Sequence, residues 1–336
     1  PGHALIIDKQ GNYEHKQFLE PQEKKACSFE RIYFSRGTDP DIYRERKELG
    51  RLMVPQVLKS INFDLKNTVF SYIPNTAEIS FLGMMSGVED YLISKRKEII
   101  IDHKPTADSL EDLLTFKPRI EKLVLKDAKL RTFIADASHR DELVAHVYDT
   151  TFEVIQKGRD SLVIIDDSIV RGTTLEKSIL TLLDNLNPKK IVIISSAPQI
   201  RFPDCYGIDM SKMKDFVAFR AVLALLIDEG KEYLLEDVLE KCLADKDKVN
   251  EVNYGKELYA PFSYDQVSQK IGEIVKPKKM KAVLEVVFQT VEGLHKACPD
   301  HLGDWYFTGD YPTKGGNSVV NTAFINFMKG VEVRAY

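Results

Sequence analysis

The residues best suited to chemistry lie together in one stretch, residues 161–174, which reads SLVIIDDSIVRGTT. An apolar run, Leu162–Ile165, ends there in two acids, Asp166 and Asp167. Two successive carboxylates can bind hydroxyl groups, or hold a divalent cation that bridges to phosphates. They cannot bind a phosphate directly, because all of these groups are anions. The stretch therefore predicts a site for a ligand that carries hydroxyls and metal-bridged phosphates.

A short polar loop, Ser168–Thr174, separates the acids from a helical pattern, and it contains Gly172 and Thr173. Backbone N–H groups, hydroxyls and a helix N-terminus together form a common phosphate site. The loop has neither the GxxxxGK[ST] pattern of P-loops nor the GxGxxG pattern of dinucleotide sites. Phosphoribosyl pyrophosphate, PRPP, has a phosphate, adjacent hydroxyls and a polyphosphate, so it is the favoured ligand. A plain helix cap is the alternative interpretation of the acids.

The elements around this stretch follow from apolar runs and periodicity. The apolar run predicts a strand buried on both faces, and ligands of open α/β sheets bind at the carboxyl ends of such strands. The other predicted strands are residues 29–36, 68–73, 99–101, 121–125 and 191–195; the predicted helices are 42–59, 75–85, 141–154, 175–186 and 211–245. Their alternation predicts an α/β fold with a doubly wound, mostly parallel sheet and additional C-terminal helices.

The overall composition narrows the class of protein. The 336 residues are 43% hydrophobic and 29% charged, which is ordinary for a soluble protein, and the net charge of −4 gives no sign of nucleic-acid binding. The longest apolar run, near residues 221–227, is far too short to span a membrane, and the N-terminus does not resemble a signal peptide. The cysteines form no CxxC pair, so we expect reduced thiols in a cytoplasmic protein.

The stretch at 161–174 resembles the PRPP-binding motif of type I phosphoribosyltransferases, and DDSIVRGTT is most similar to the amidophosphoribosyltransferases. Further segments resemble the same family in the same order. They are FERIYFSR at 29–36, the pyrophosphate loop SYIPNTAEISFLGM at 71–84, the end of the flexible catalytic loop LRTFI at 130–134, IISSAPQIRFPDCYGIDM at 193–210, and YFTGDYPT at 306–313. The likeness is good over about residues 27–220 and patchy elsewhere.

This resemblance implies a pentosyltransferase that forms 5-phosphoribosylamine and pyrophosphate from PRPP and ammonia, the first step of purine biosynthesis. The implied PRPP-binding residues are Thr76, Asp166, Asp167, Ser168, Arg171, Gly172, Thr173 and Thr174. The implied magnesium-associated residues are Thr76, Asp166 and Asp167. Cations of the flexible loop would close over the leaving pyrophosphate; they are Lys126, Lys129 and Arg131. Arg201 either touches the substrate or fixes the loop that follows it.

The chain also departs from the family pattern. Relatives that use glutamine carry a glutaminase domain with an N-terminal cysteine, whereas this chain starts with Pro1. We therefore expect a remnant of that domain and linker at residues 1–26, a phosphoribosyltransferase domain at 27–245 and a helical extension packing on it at 246–336, with no use of glutamine.

Some relatives bind an iron–sulfur cluster through four cysteines. Here only Cys27 matches, since the other positions read Asp204 and the run Gly303–Phe307, so we expect no cluster.

Two alternative functions stay open. One is a PRPP- or nucleotide-sensing homologue without turnover, which a diverged flexible loop would allow, and the other is a salvage phosphoribosyltransferase that uses a base. The resemblance further implies a homo-oligomer with purine nucleotides as feedback inhibitors at the PRPP site. Residues 87–121 match nothing in the family and are expected to be an insertion.

Overall fold

The structure of the protein is a computed structural model that describes residues 2–21, 23–103, 105–126, 148–151, 153–205, 210–245 and 251–335. The described strands are β1 (His3–Ile7), β2 (Tyr13–Gln17), β3 (Thr68–Tyr72), β4 (Arg119–Ile120), β5 (Val124–Lys126), β6 (Tyr148–Thr150), β7 (Ser161–Asp166), β8 (Lys190–Ser195) and β9 (Val283–Phe288). The described α-helices are α1 (Pro40–Leu52), α2 (Val54–Ser60), α3 (Glu78–His103), α4 (Ala107–Thr115), α5 (Leu180–Asn185), α6 (Val217–Asp228), α7 (Tyr233–Ala244), α8 (Lys256–Tyr259), α9 (Tyr264–Val275), α10 (Val291–Ala297), α11 (Trp305–Thr308) and α12 (Lys314–Met328). Short π-helices span Glu30–Phe34 and Leu175–Ile179, and a 3₁₀-helix spans Met213–Asp215.

Five strands form the central sheet, in the order β4-β3-β7-β8-β9. Every neighbouring pair in this sheet is parallel, and β7 lies in the middle. In this register Ile165 lies between Tyr72 and Ile194, while Asp166 pairs with Ser195 of β8. The predicted α/β fold with a mostly parallel sheet is confirmed, and the two acids lie at the carboxyl end of its central strand.

The two faces of the sheet are covered by different helices. Leu162 and Ile164 of β7 belong to the larger apolar cluster, which includes buried residues of α5, α6, α9 and α12. Val163 and Ile165 belong to a second cluster with buried residues of α2 and α3. Alternate strand residues point to opposite faces, so this partition is what a strand buried on both sides requires. None of the described helices combines the length and apolar character needed to cross a bilayer.

Several predicted elements are wrong. Residues 29–36 form a π-helix at Glu30–Phe34, in which Ile32 is buried and Tyr33 is exposed, and not a strand. The predicted strand at residues 99–101 lies inside α3, so residues 87–121 contain most of a long helix followed by α4 and β4. The predicted helix at 141–154 contains β6 instead, and residues 141–147 lie outside the described part. Short apolar runs do not distinguish helix from strand, which explains these errors.

Strand β9 is a further difference from the sequence-based expectation. It belongs to residues 246–336, which were expected to be helical, and it pairs in parallel with β8 from Val283 opposite Lys190 to Phe288 opposite Ser195. Its one carboxylate, Glu285, accepts a hydrogen bond from Lys190 Nζ at 2.6 Å. The C-terminal segment therefore supplies an edge strand of the central sheet as well as helices.

Candidate functional site

The two acids lie where β7 ends and the polar loop begins. The N–H of Asp167 donates to Asp166 Oδ1 at 2.9 Å, and the N–H of Ser168 donates to Asp167 Oδ1 at 2.7 Å. The neighbouring strand contributes Ser196, whose hydroxyl donates to the carbonyl of Asp167 at 3.2 Å. Thr76, in the loop after β3, lies close enough to Asp167 for its hydroxyl to lower the pKa of that carboxyl. The structure thus brings together the three residues for which the resemblance implied a magnesium site.

Burial governs the charge of this acid pair. It raises the pKa of Asp166 well above the usual range, and the charge of Asp167 raises it further. Burial also raises the pKa of Asp167, although hydrogen bonds from Asp166, Ser168 and Thr76 oppose this effect. Two carboxyl groups of this kind share a proton until a ligand supplies positive charge or hydroxyl donors.

The oxygen atoms of Thr76, Asp166 and Asp167 are the ligand type that Mg²⁺ prefers. The described residues contain no group of three or more acids, histidines or cysteines placed to hold a metal. The acid pair therefore fits a magnesium ion that takes its remaining ligands from substrate oxygens and water, as Mg²⁺ commonly does with phosphate substrates.

The loop after the acids has the geometry of an anion site. Gly172 has φ of +70°, and a Cβ added to it would lie 2.7 Å from Val275 Cγ1 of α9, so only glycine fits. The backbone N–H groups of Gly172, Thr173 and Thr174 donate to no protein atom among the described residues. Unpaired N–H groups before the first turn of a helix are available to a phosphate.

Contacts with α6 fix the loop from behind. The carbonyl of Val170 accepts a hydrogen bond from the Val217 N–H at 2.8 Å, and the carbonyl of Arg171 accepts one from Arg220 Nη2 at 2.6 Å. The guanidinium of Arg171 itself lies 3.3 Å from Asp215 and is partly exposed. Its predicted role as a phosphate ligand stays a prediction, since this ion pair directs the side chain towards α6.

The predicted loop cations are placed only in part. Lys126 is the last residue of β5, is exposed, and lies opposite Tyr148 of β6. Lys129 and Arg131 lie outside the described residues. The charges of Asp166 and Asp167 act on Tyr148, the residue that pairs with Lys126.

Sequence reasoning missed three residues near the acids. Burial raises the pKa of Tyr148 to about 12, and the charges of Asp166 and Asp167 add to this effect. Tyr33 is half exposed, and its partial burial together with the same two charges raises its pKa. Arg46 of α1 is buried, and its charge lowers the pKa of Asp167. The sequence spacing of these residues does not indicate that they lie near the acids, because they come from segments far from the acids in sequence.

Arg201, for which two roles were open, supports the loop after β8. Its guanidinium lies over the rings of Tyr259 and Tyr264, at 5.1 and 4.8 Å from their centroids. Its Nε and Nη2 donate to Gln199 Oε1 at 3.0 and 2.8 Å. These contacts favour the structural role over contact with a substrate.

The positions compared with the cluster-binding cysteines of some relatives lie close together. Cys27 and Gly303 form a parallel β-bridge, and the hydroxyl of Tyr306 donates to Asp204 Oδ1 at 2.6 Å. Tyr306 and its neighbour Trp305 are buried there. The expectation that this chain binds no iron–sulfur cluster stays a prediction.

A cleft of about 730 Å³ lies elsewhere, between α1, α3 and the end of α10. Charged residues line it, including Arg44, Glu48, Lys296 and His301. Arg44 and Arg51 along this face are paired with acids of the same helix. The cleft is therefore separate from the acid pair, and it resembles a solvated groove between charged helices.

Comparison with known proteins supports this fold. No protein-family model matches the chain. The amidophosphoribosyltransferase of Lachancea kluyveri is 29% identical over 262 residues, which are 73% of this chain and 45% of that protein. The enzyme of the same name from Escherichia coli is 25% identical over 225 residues, which are 65% of this chain and 38% of that protein. The chain thus spans less than half the length of these curated relatives.

Solved structures show the same fold. Glutamine PRPP amidotransferase from B. subtilis, complexed with ADP and GMP, matches with a TM-score of 0.51 and 22% identity, covering 93% of this chain and 52% of that one. A structure described as the allosteric regulatory enzyme of purine biosynthesis matches with a TM-score of 0.54 and 22% identity, covering 93% and 51%. The chain is a distant homologue of the amidophosphoribosyltransferases and has the phosphoribosyltransferase fold.

Proposed function

We propose that the protein transfers the 5-phosphoribosyl group of PRPP to ammonia and releases pyrophosphate. The observation that carries this proposal is the placement of Asp166 and Asp167 immediately before a loop whose N–H groups at Gly172, Thr173 and Thr174 have no partner in the described part of the chain. An acid pair next to an anion site suits a sugar phosphate, and homology to amidophosphoribosyltransferases supports ammonia as the acceptor.

Each part of the site has a proposed role. The N–H groups of the loop and the hydroxyls of Ser168, Thr173 and Thr174 bind the 5′-phosphate. Asp166 and Asp167 bind the ribose hydroxyls and, with Thr76, hold Mg²⁺. Bound Mg²⁺ supplies positive charge that offsets the charge of the pyrophosphate.

The reaction needs positioning more than proton transfer. The nitrogen lone pair of ammonia forms a bond to the anomeric carbon of PRPP, the bond from that carbon to the pyrophosphate oxygen breaks, and its electron pair leaves with pyrophosphate. The new ammonium group then loses a proton to solvent. Donors placed before the reaction favour the charge that develops on the leaving group. We assign this role to Lys126 at the end of β5, together with Lys129 and Arg131.

The test is an assay for pyrophosphate release from PRPP and ammonium, comparing the wild type with Asp166→Asn/Asp167→Asn. We expect a loss of about a hundredfold or more in the double variant, since charge stabilisation of this kind has that size. Asp108→Asn/Asp112→Asn removes two exposed acids of α4 and should leave the rate unchanged. Release by the site variant at the wild-type rate would rule out the assignment.

The same assay separates the alternatives. PRPP binding without pyrophosphate release would favour the sensing homologue, and release that depends on a purine or pyrimidine base would favour a salvage enzyme. We further propose that residues 27–245, with β9, form the transferase domain, and that purine nucleotides compete with PRPP for this site. A homo-oligomeric state stays a prediction that light scattering can test.

A further inference from the structure

Arg46 is a buried cation with an unusual set of partners. It lies on α1 with 4% of its surface exposed. Its Nε donates to the carbonyl of Arg31 at 2.9 Å, and its Nη2 donates to the carbonyl of Ser35 at 2.8 Å. Arg46 takes part in no ion pair among the described residues. Buried arginines are seldom left without a carboxylate, so the remaining charge calls for an explanation.

The neighbours of the Arg46 guanidinium suggest an explanation. A Cβ added to Gly37 would lie 3.3 Å from Arg46 Nη1 and 3.0 Å from Ile79 Cδ1. Ile79 is in the first turn of α3, directly after the loop that carries Thr76. The two carbonyls that Arg46 binds belong to the π-helix Glu30–Phe34 and to the residue that ends it. Arg46 therefore lies where the π-helix, the segment at Gly37 and the first turn of α3 meet.

The charges around Arg46 point to the acid pair. Burial lowers the pKa of Arg46, and the strongest opposing influence is the charge of Asp167. Glu45 also favours the charged form of Arg46, whereas Arg31 disfavours it. Glu45 is already engaged, since Arg31 Nε donates to its carboxylate at 2.5 Å. Asp167 is therefore the acid whose charge acts most strongly on Arg46.

We propose that Arg46 is a positioning residue whose fixed positive charge, held beside the first turn of α3, enables the site that contains Asp167 to bind a diphosphate ester. This inference rests on the proposed function. A ligand with several negative charges would otherwise approach two carboxylates, and a buried cation that is already in place offsets this repulsion without reorganisation. Buried charges are also screened little by salt, so the effect persists at physiological ionic strength. The competing explanation is that Arg46 only binds the carbonyls at the end of a helix.

Three substitutions separate charge from hydrogen bonding. Arg46→Lys keeps the charge and loses at least one carbonyl contact, Arg46→Gln keeps a donor and loses the charge, and Arg46→Met keeps only the aliphatic stem. Calorimetric titration with PRPP and Mg²⁺ should give a Kd at least about tenfold higher for the glutamine and methionine variants. The lysine variant should stay within about threefold of the wild type. Arg44→Gln, on the exposed side of the same helix, is the matched control and should bind normally.

The outcomes are distinct. Wild-type affinity in the glutamine variant would overturn the proposal, as would equal loss of affinity in all three variants. If neither uncharged variant folds, the lysine variant decides, because a tenfold loss with the charge retained would mean that only the carbonyl contacts matter. If the wild-type protein itself does not bind PRPP, the proposed function is wrong and this inference is wrong with it. Binding by the wild type that is insensitive to the charge at Arg46 would refute this inference alone.

Discussion

Asp166 shows how a binding site can oppose the stability of the free protein. Its carboxyl is buried beside a second carboxyl, and both effects raise its pKa well above the usual range. A group that is held in its less favoured protonation state at neutral pH costs free energy of folding. Under the proposed function, a ligand that brings hydroxyls or a cation would remove this cost.

This arrangement predicts a pH-dependent gain of stability in Asp166→Asn. Between the usual value of 3.8 and the raised pKa of Asp166, the folded protein binds a proton that the unfolded chain releases. The free energy of unfolding of the wild type therefore falls as the pH rises through that window. Asparagine lacks this penalty, so we expect the gain in stability of the variant to be larger at pH 8 than at pH 5. Urea unfolding at both values tests this, and a variant that is less stable at pH 8 than the wild type would contradict it.

Gly172 allows a second test at single-residue resolution, with Gly158 as its control. Both glycines have φ of +70°, but an added Cβ meets Val275 at 2.7 Å only at Gly172 and meets nothing within 4 Å at Gly158. Gly158→Ala should cost roughly 1–2 kcal/mol for the left-handed backbone alone. Gly172→Ala should cost about 1–3 kcal/mol more through overpacking and should displace the neighbouring N–H groups.

Urea unfolding and PRPP titration of both variants measure the two effects. We expect PRPP affinity to fall about tenfold or more in Gly172→Ala and to be unchanged in Gly158→Ala. Equal affinities in the two variants would show that the N–H groups of this loop do not bind the ligand.

The sequence predicted the acids and the anion loop because their residues are contiguous and their local conformation is fixed by local chemistry. Gly172, two threonines and a following helix can be identified without knowing what packs around them. Arg46, Tyr33 and Tyr148 could not be predicted, since only the tertiary fold brings α1, the π-helix and β6 to the end of β7. Burial, which sets the charge of the pair, likewise depends on all of these segments.

At the scale of elements, the contact between α1 and α3 sets the position of Arg46. A Cβ added to Gly50 of α1 would lie 1.7 Å from the carbonyl oxygen of Ser80, and one added to Gly83 of α3 would lie 1.7 Å from that of Lys47. The two backbones are therefore in direct contact, which only glycine permits at both positions. Any side chain there must push α1, with Arg46, away from α3.

We expect Gly83→Ala to lower the free energy of unfolding by about 2 kcal/mol or more, because the added carbon meets backbone that cannot rotate away. Gly272→Ala in α9 is the matched control, since its added Cβ would lie 3.6 Å from Val286 Cγ2, an ordinary contact. Alanine in a helix interior should raise stability there by up to about 1 kcal/mol. Urea unfolding of both variants measures the difference. Two variants of equal stability would mean that the helices separate freely.

The strands that the sequence predicted best are those buried on both faces. Residues 68–73, 162–165 and 191–195 are compact, mostly apolar runs between turn signals, and only a parallel sheet covered by helices suits them. The wrong strand predictions concern short apolar runs that are buried on one face only. Residues 99–101 lie near the exposed end of α3, and Ile101 is 73% exposed, so its hydrophobicity misled the prediction. The sequence of β9 does not predict a buried strand clearly, because Glu285 interrupts its apolar residues.

At the scale of the whole molecule, the C-terminal segment is part of the central core. It supplies β9 to the sheet, and its residues Trp305, Tyr306, Phe307 and Phe324 are buried in the same apolar cluster as β7 and α6. Backbone bonds also join its Gly303 to Ala26 and Ser28. By contrast, the hairpin of β1 and β2 is exposed along both strands. These two ends of the chain should therefore differ in their effect on stability.

A protein that ends at Asp245 should fail to fold cooperatively, because it would leave β8 as an open edge and expose the surfaces that the four buried aromatic residues cover. Circular dichroism in the near ultraviolet and binding of a hydrophobic dye should report a loss of fixed packing.

Removal of residues 1–21 is the control, and it should leave the midpoint of thermal unfolding within about 2 °C of the full chain, since a change below about 0.5 kcal/mol has that effect. A sharp, reversible transition in the protein that ends at Asp245 would mean that residues 246–336 are an accessory extension. A large loss of stability on removal of the hairpin would mean that its exposed strands support the core.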